Sequence, residues 1–549
     1  VVVKNMNKHL GFSLSPRSSW ALWGALSGAM LLQSAPAGAQ EKNEKDASAD
    51  VGLGQAPGSP QVGTLPGGIQ PSYGQRSADE QDYRFDYHGF LVMPLRVGLN
   101  KRSGVVTSDQ KKAVIHAPPV VPDYLGSFSY TGIVPQPYAQ LAFSYGNNIV
   151  TGTAVIVART ASTATSFFQP PLQSGITDAF VTFNIPNLTK SAHLEANVGA
   201  FSNAYGAMGE YDLGRYGTPL LGRTNGVGEN IAARFALGDL QLDVEQAIQG
   251  QFDKAPVGIA PEGWNAFADA KAGTSLVHHE HLGIGYRRQL SFGLHYMQAW
   301  TQDDRADQQI IPDGTITMMG ADLRFSASHL GHFYGAASYT KATNSVSVGR
   351  VVEILNAAGG QGLIENYLGP RSSIGSDPNN PATGNGSLLT FGGEYDLSLA
   401  HLLLYPRTFD GKSHDLVLSL FGMYTRVRSE DKTRALDANG NPGAWLYDGV
   451  NMLKFGAEGT YTLFSWLALG GRIDRVQPTS EIPGRTYNIL SPRVIFHSDW
   501  QSRDQVVLQY SRFLYGDDPL VKSGYPLVDD PSLKNPDKDV LSLSANMWW

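Results

Sequence analysis

The chain has 549 residues, 17 % of them charged and 10 % aromatic, with 61 glycines, 24 tyrosines and no cysteine. The formal net charge of −7 and the lack of clustered basic residues exclude a nucleic-acid partner, and zero cysteine excludes disulfides, thiolate metal centres and cysteine nucleophiles. Low charge with abundant glycine and aromatic side chains favours β structure rich in turns.

Residues 1–39 have the pattern of a secretory signal peptide: basic Lys4, Lys8 and Arg17, an apolar stretch from Trp20 to Leu32, and the small-residue run Ala37-Gly38-Ala39 before Gln40. Cleavage is expected after Ala39, and the loss of Lys4, Lys8 and Arg17 takes the net charge from −7 to −10. The apolar stretch is shorter than the ~20 residues a spanning helix needs. Residues 40–82 are rich in Gly, Pro, Gln, Ser and charge, as in Glu41-Lys42-Asn43-Glu44-Lys45 and Ala56-Pro57-Gly58-Ser59-Pro60. They are too polar to bury a core and are expected to be flexible.

Past Ala39 no apolar run is long enough for a membrane helix, which leaves a soluble secreted protein or a barrel that crosses with strands. From 83 to 549, segments of about ten residues alternate apolar and polar side chains, as strands with one face in lipid and one facing water do. In the last, Leu541, Leu543, Ala545, Met547 and Trp549 share one face and Ser542, Ser544 and Asn546 the other. Leu416, Leu418, Leu420, Gly422 and Tyr424 repeat the pattern opposite Asp415, Val417 and Ser419, as do Leu453, Phe455, Ala457, Gly459 and Tyr461 opposite Lys454, Gly456, Glu458 and Thr460.

Strands are expected near 84–98, 137–146, 149–159, 176–185, 192–202, 229–237, 240–249, 275–287 and 290–300. They continue near 314–326, 331–343, 387–398, 414–427, 448–463, 466–476, 486–500, 503–514 and 538–549, about eighteen in all, with sixteen the alternative. Tight turns such as Gly146-Asn147-Asn148, Leu237-Gly238-Asp239 and Phe464-Ser465 alternate with long polar joins, the longest between Ser345 and Asn385. A soluble sandwich has no reason for that asymmetry, whereas a transmembrane up-and-down barrel has short turns at one rim and long loops at the other. One segment, 398–414 with its Leu402-Leu403-Leu404 run, is long where a short turn is expected. Aromatic residues near strand ends, among them Tyr87, Tyr145, Trp300, Tyr424, Trp500 and Trp549, fit girdles at the two boundaries.

The leader, the strand count, the alternating joins and the terminal Asn546-Met547-Trp548-Trp549 resemble Gram-negative outer-membrane porins over roughly 84–549. The likeness is architectural, with no subfamily motif. It implies a fold of all-β transmembrane barrel type, with residues 40–82 in the periplasm and the long loops outside the cell. It also implies passive diffusion of small hydrophilic solutes, no cofactor, and a homotrimer in a membrane of lipid and lipopolysaccharide. Its last strand would be read by the barrel-assembly machinery.

In such porins the third long loop folds into the lumen, and selectivity comes from pore width and lining charge. By the strand count that loop is 203–228, and the resemblance implies Glu210, Tyr211, Asp212, Arg215, Tyr216 and Arg223 as its constriction residues. Tyr205, Tyr211 and Tyr216 offer rings for sugars to stack on. On the polar faces of the strands, Arg84, Asp86, Arg96, Glu195, Arg234, Asp243, Glu245, Asp322, Arg324, Glu394, Lys454, Glu458, Arg472 and Arg493 are expected to form the lumen wall, joined by His88, Asp396 and Asp474. Both signs are present in similar number, and cross-strand pairing is the alternative use for many of them.

His279 and His281 share a strand face while His278 points away, so at most two ligands converge there unaided, and no metal is assigned. The loop Asp437-Ala438-Asn439-Gly440-Asn441-Pro442 has Asp448 twelfth, but it lacks the glycine and the bidentate glutamate of a calcium loop. No G-x-S-x-G, H-E-x-x-H or G-x-x-x-x-G-K string occurs in the mature chain, so no catalytic residue is assigned. The alternatives to a porin are a polymer-export or structural barrel and, further off, a barrel-borne hydrolase.

Overall fold

The computed structural model describes residues 82–99, 138–160, 172–189, 191–206, 208–209, 218–219, 222–252, 274–287, 289–302, 314–327, 329–343, 352–354, 385–407, 409–429, 434–436, 442–445, 449–477, 480, 486–500, 504–516 and 538–548. The expected leader and all of the segment 40–82 except Asp82 lie outside them, as do Trp549 and most of the loop 437–448.

The principal strands are β1 (Arg84–Gly98), β2 (Tyr138–Gly146), β3 (Val150–Thr160), β4 (Leu172–Thr189), β5 (Ala192–Tyr205), β6 (Gly222–Leu237), β7 (Leu240–Phe252), β8 (Thr274–Tyr286) and β9 (Leu290–Gln302). They continue as β10 (Thr315–Ala327), β11 (Gly331–Thr343), β12 (Gly386–Ser398), β13 (Asp415–Ser429), β14 (Gly449–Phe464), β15 (Leu467–Gln477), β16 (Tyr487–His497), β17 (Gln505–Tyr515) and β18 (Lys538–Trp548). Each pairs antiparallel with the strands before and after it. The ring closes because β1 bonds β18 as well as β2, in the register Phe90↔Trp548 to Gly98↔Val540. The eighteen strands read from the periodicity are therefore one hydrogen-bonded barrel, with the short strand Val352–Ile354 added against Gly222, Arg223 and Thr224 of β6. Closure leaves none of these eighteen strands at an edge of the ring, which is the condition for a sheet to lie in hydrocarbon.

The faces follow the alternation. Leu541, Leu543 and Met547 are exposed while Ser542 and Ser544 are buried, and Leu418, Leu420, Phe455 and Tyr461 are exposed while Lys454, Glu458 and Thr460 are buried. Apolar out and polar in reverses the arrangement of a soluble domain, so the exterior is a surface for lipid and the barrel spans a membrane.

Short joins at 147–149, 190–191, 238–239, 287–289, 328–330, 465–466 and 498–504 lie at one rim, and the joins at the other are longer, up to 344–385. In the tightest, Gly238 takes φ 68, a conformation that costs glycine little and other residues more. Arg287 in the next short turn pairs with Asp239 at 2.9 Å, and this hydrogen bond raises the guanidinium pKa.

The long segment at the short-turn rim holds a helix, α1 (Leu399–Leu404). Ser398 caps it by accepting from the His401 amide at 3.3 Å, and Asp415 at the start of β13 accepts from the Ala400 amide at 2.9 Å and the Ser398 hydroxyl at 2.6 Å. The helix leaves Leu402, Leu403 and Leu404 exposed at that rim. Burial holds His401 below its usual pKa, with Asp415 opposing in part.

Candidate functional site: the lumen wall

Because side chains alternate along every strand, the inward residues of neighbouring strands stack into polar layers. Among the described residues, two sectors of the wall hold pairs of arginine with a carboxylate. On β5–β7, Arg234 meets Glu195 at 3.2 Å and stands opposite Asp243 in the β6–β7 register. Further along, the Asn230 amide donates to Glu245 at 2.5 Å, and the Thr224 hydroxyl donates to Gln249 at 2.6 Å. Gln249 in turn donates to the Phe201 carbonyl at 2.7 Å. On β14–β16, Arg493 pairs with Glu458 across β15, and Arg472 grips Asp474 through two bonds of 2.7 and 2.8 Å with both side chains fully buried. The Arg472 guanidinium also lies over the Phe421 ring at 5.1 Å.

The expected wall residues are placed as follows. Glu195, Asp243, Glu245, Asp322, Glu394, Asp396, Lys454, Glu458, Arg472, Asp474 and Arg493 are buried on the inward face, and Arg234 and Arg324 are partly buried there. Asp86 is half-buried, and Arg84 is exposed at the short-turn rim beside Gly146. For His88 and Arg96 only the backbone is described, within β1. Among the described residues that are fully buried, carboxylates outnumber the basic Lys454, Arg472 and Arg493.

The boundaries of the constriction loop need correction. Residues 203–205 and 222–228 are paired strand, from Asn203↔Thr224 and Tyr205↔Gly222 onward, so the join narrows to 206–221. Arg223 belongs to β6, opposite Ala204 and Glu353, rather than to the loop. The run Gly222–Gly228 hid its strand character because the inward Gly226 and Gly228 pack their backbone against β7, where a Cβ on Gly228 would lie 1.8 Å from the Ile248 carbonyl oxygen. Glu210, Tyr211, Asp212, Arg215 and Tyr216 lie outside the described residues, and so do Asp437 and Asp448. Tyr205 is described by its backbone alone.

The histidines divide as the periodicity expected, with His279 and His281 inward and buried and His278 on the outer face. What sequence order concealed is that His295 on β9 stands directly opposite His281, and that Asp322 on β10 reaches the same place. The outer face around His278 departs from the apolar pattern. His278 lies 3.2 Å from Gln246 and 3.5 Å from Glu280, and the Tyr296 hydroxyl donates to Gln298 at 3.2 Å.

No family model matches the sequence, and no curated protein matches it. The structure is similar to OmpT of Vibrio cholerae expressed in the outer membrane, at 8 % identity and a TM-score of 0.32, covering 85 % of this chain and 98 % of that one. It is similar to Salmonella typhi OmpF in complex with daunomycin, at 12 % identity and a TM-score of 0.34, covering 84 % and 97 %. It is also similar to the outer-membrane channel DcaP of Acinetobacter baumannii, at 11 % identity and a TM-score of 0.36, covering 86 % and 99 %.

Proposed function

We propose that the chain is a Gram-negative outer-membrane porin through which small hydrophilic solutes diffuse down their gradients. The observation that carries this reading is the closed ring of strands with exposed leucine, isoleucine and phenylalanine outside and charges of both signs inside. Such a wall offers a solute polar partners in place of part of its hydration shell, and pore width with wall charge then decides what passes. No bond is made or broken and no cofactor takes part. Residues 1–39 serve as the signal peptide, 40–82 as a periplasmic extension, and the join 206–221 narrows the lumen with Glu210, Tyr211, Asp212, Arg215 and Tyr216.

Wall charges that pair with one another, as Arg493 with Glu458 and Arg472 with Asp474, are poor at holding a permeating ion. The excess of buried carboxylates gives the pore a modest preference for cations. The polar outer patch around His278 and Glu280 favours a homotrimer, because ionisable groups are costly against lipid tails and are relieved when a second copy covers them.

Swelling of proteoliposomes in uncharged sugars of increasing size tests the reading. Swelling rates that fall with solute size support it. Vesicles that stay tight to every sugar would overturn it in favour of an export or structural barrel.

A further inference from the structure

On the inward face of the barrel, β8, β9 and β10 bring together two histidines and a carboxylate from three different strands. His281 is paired in register with His295, Gly283 with Gly293, and Gly293 with Asp322. The two glycines lie side by side and leave a gap into which their neighbours lean. A Cβ on Gly293 would fall 2.4 Å from Asp322 Oδ2 and 2.9 Å from His281 Nε2, and one on Gly283 would fall 3.0 Å from His281 Cε1. One donor atom from each of His281, His295 and Asp322 lies within 4.8 Å of the other two.

All three residues are almost wholly buried, at 3, 4 and 2 % exposure respectively. Yet among the described residues neither ring nitrogen of His281 has a hydrogen-bond partner, and neither does Asp322 Oδ1. Buried polar atoms are nearly always satisfied, so donors left open around a shared gap point to a species that would satisfy them. His295 presents Nε2 to Asp322, while its Nδ1 lies 3.4 Å from His279 Nε2. An outer hydrogen bond of this kind fixes the tautomer and ring orientation of a metal-binding histidine.

We propose that His281, His295 and Asp322 bind a divalent first-row transition-metal ion of the zinc class in the lumen wall, with His279 positioning His295. Two imidazoles and one carboxylate select such an ion over magnesium or calcium, which prefer all-oxygen shells. Ligand bonds of about 2.0–2.2 Å in a tetrahedral site place donors roughly 3.3–3.6 Å apart, so donors standing at the 4.8 Å limit have to draw in by about an ångström around one ion. Three protein ligands leave a coordination position for water. The carboxylate supplies one negative charge, and Asp243, opposite Gly283 on β7, supplies another nearby. Arg324, on the same face of β10 and over the Tyr334 ring at 5.9 Å, opposes them and limits affinity.

The test uses the full mature protein, without a polyhistidine tag, refolded in detergent, with Co²⁺ as the spectroscopic probe and equilibrium dialysis for stoichiometry. The expected result is one Co²⁺ per chain with visible ligand-field bands, displaced by Zn²⁺. His281→Ala and Asp322→Ala should abolish binding, and His279→Ala should weaken it about 10- to 100-fold. Gly293→Ala keeps every ligand but fills the gap, and should abolish binding as well. Heat-modifiable mobility on gels shows whether each variant folds, with His281→Gln and Asp322→Asn standing in for any that does not. Sub-stoichiometric Co²⁺ in the unaltered protein, binding that survives in a folded His281 variant, or binding lost instead with His401→Ala and His414→Ala would each overturn the proposal.

Discussion

Leu420→Arg probes the outer face where lipid contact matters most. Leu420 is 55 % exposed on the outward face of β13, between Leu418 and Gly422, with Tyr424 four residues toward the long-loop rim. A strand rising about 3.4 Å per residue and tilted by about 45° climbs roughly 2.4 Å per residue along the membrane normal, which puts Leu420 about 10 Å below Tyr424. With an apolar band about 25 Å tall and Tyr424 at its boundary, Leu420 lies close to the midplane. Arg426 and Arg428, also outward and exposed, then fall about 14 and 19 Å above Leu420, beyond the hydrocarbon, where a charge is tolerated. Arginine at the midplane costs about 2–4 kcal/mol, roughly a 30- to 700-fold shift in the folding equilibrium. Urea titration of the protein folded into phospholipid vesicles should show that loss for Leu420→Arg and less than about 1 kcal/mol for Arg426→Leu. Equal stability of Leu420→Arg and the unaltered protein would refute the placement of this face in lipid.

Other predictions follow from the wall and the ring. Asp474→Ala leaves the buried Arg472 guanidinium without its bidentate partner and should destabilise the barrel by about 3–5 kcal/mol in the same titration, whereas replacing both residues with apolar ones should cost much less. Glu458→Gln removes the carboxylate that neutralises Arg493, so the folded pore should move toward anions in salt-gradient reversal potentials. Gly331→Ala forces a side chain onto a residue at φ 81 and a Cβ to 2.0 Å from the Asp396 carbonyl oxygen, which should lower stability by more than about 1 kcal/mol by urea titration. Joint His278→Leu and Glu280→Leu removes the polar outer patch and should reduce the oligomer seen on unheated gels, and an unchanged oligomer band would separate that patch from the interface.

The barrel was legible because one constraint repeats along the chain. A wall that is one strand thick, with lipid on one side, makes each segment alternate with period two, and Leu541 to Met547 against Ser542 and Ser544 is that constraint in its plainest form. Legibility failed where another rule governed the residues. Gly222–Gly228 is strand through backbone packing on β7 and has no alternation to read. The Leu402-Leu403-Leu404 run belongs to a capped turn of helix, whose period is not two. The His281, His295 and Asp322 cluster comes from register, since His281↔His295 and Gly293↔Asp322 are fixed only once β8, β9 and β10 are paired. One signal was present in the sequence, an inward glycine two residues from an inward histidine on each of two adjacent strands, and it gains meaning only with that pairing. The wall charges lay in between: their inward facing could be read from phase, while their partners, Glu195 for Arg234 and Glu458 for Arg493, could not.

Single-channel recording of the refolded protein in a planar lipid bilayer tests the central claim most directly. A porin of this construction gives stable, ohmic conductance steps, and under a salt gradient a reversal potential whose sign indicates modest cation preference. Insertion confirmed by protease protection, with no conductance at any voltage, would contradict it.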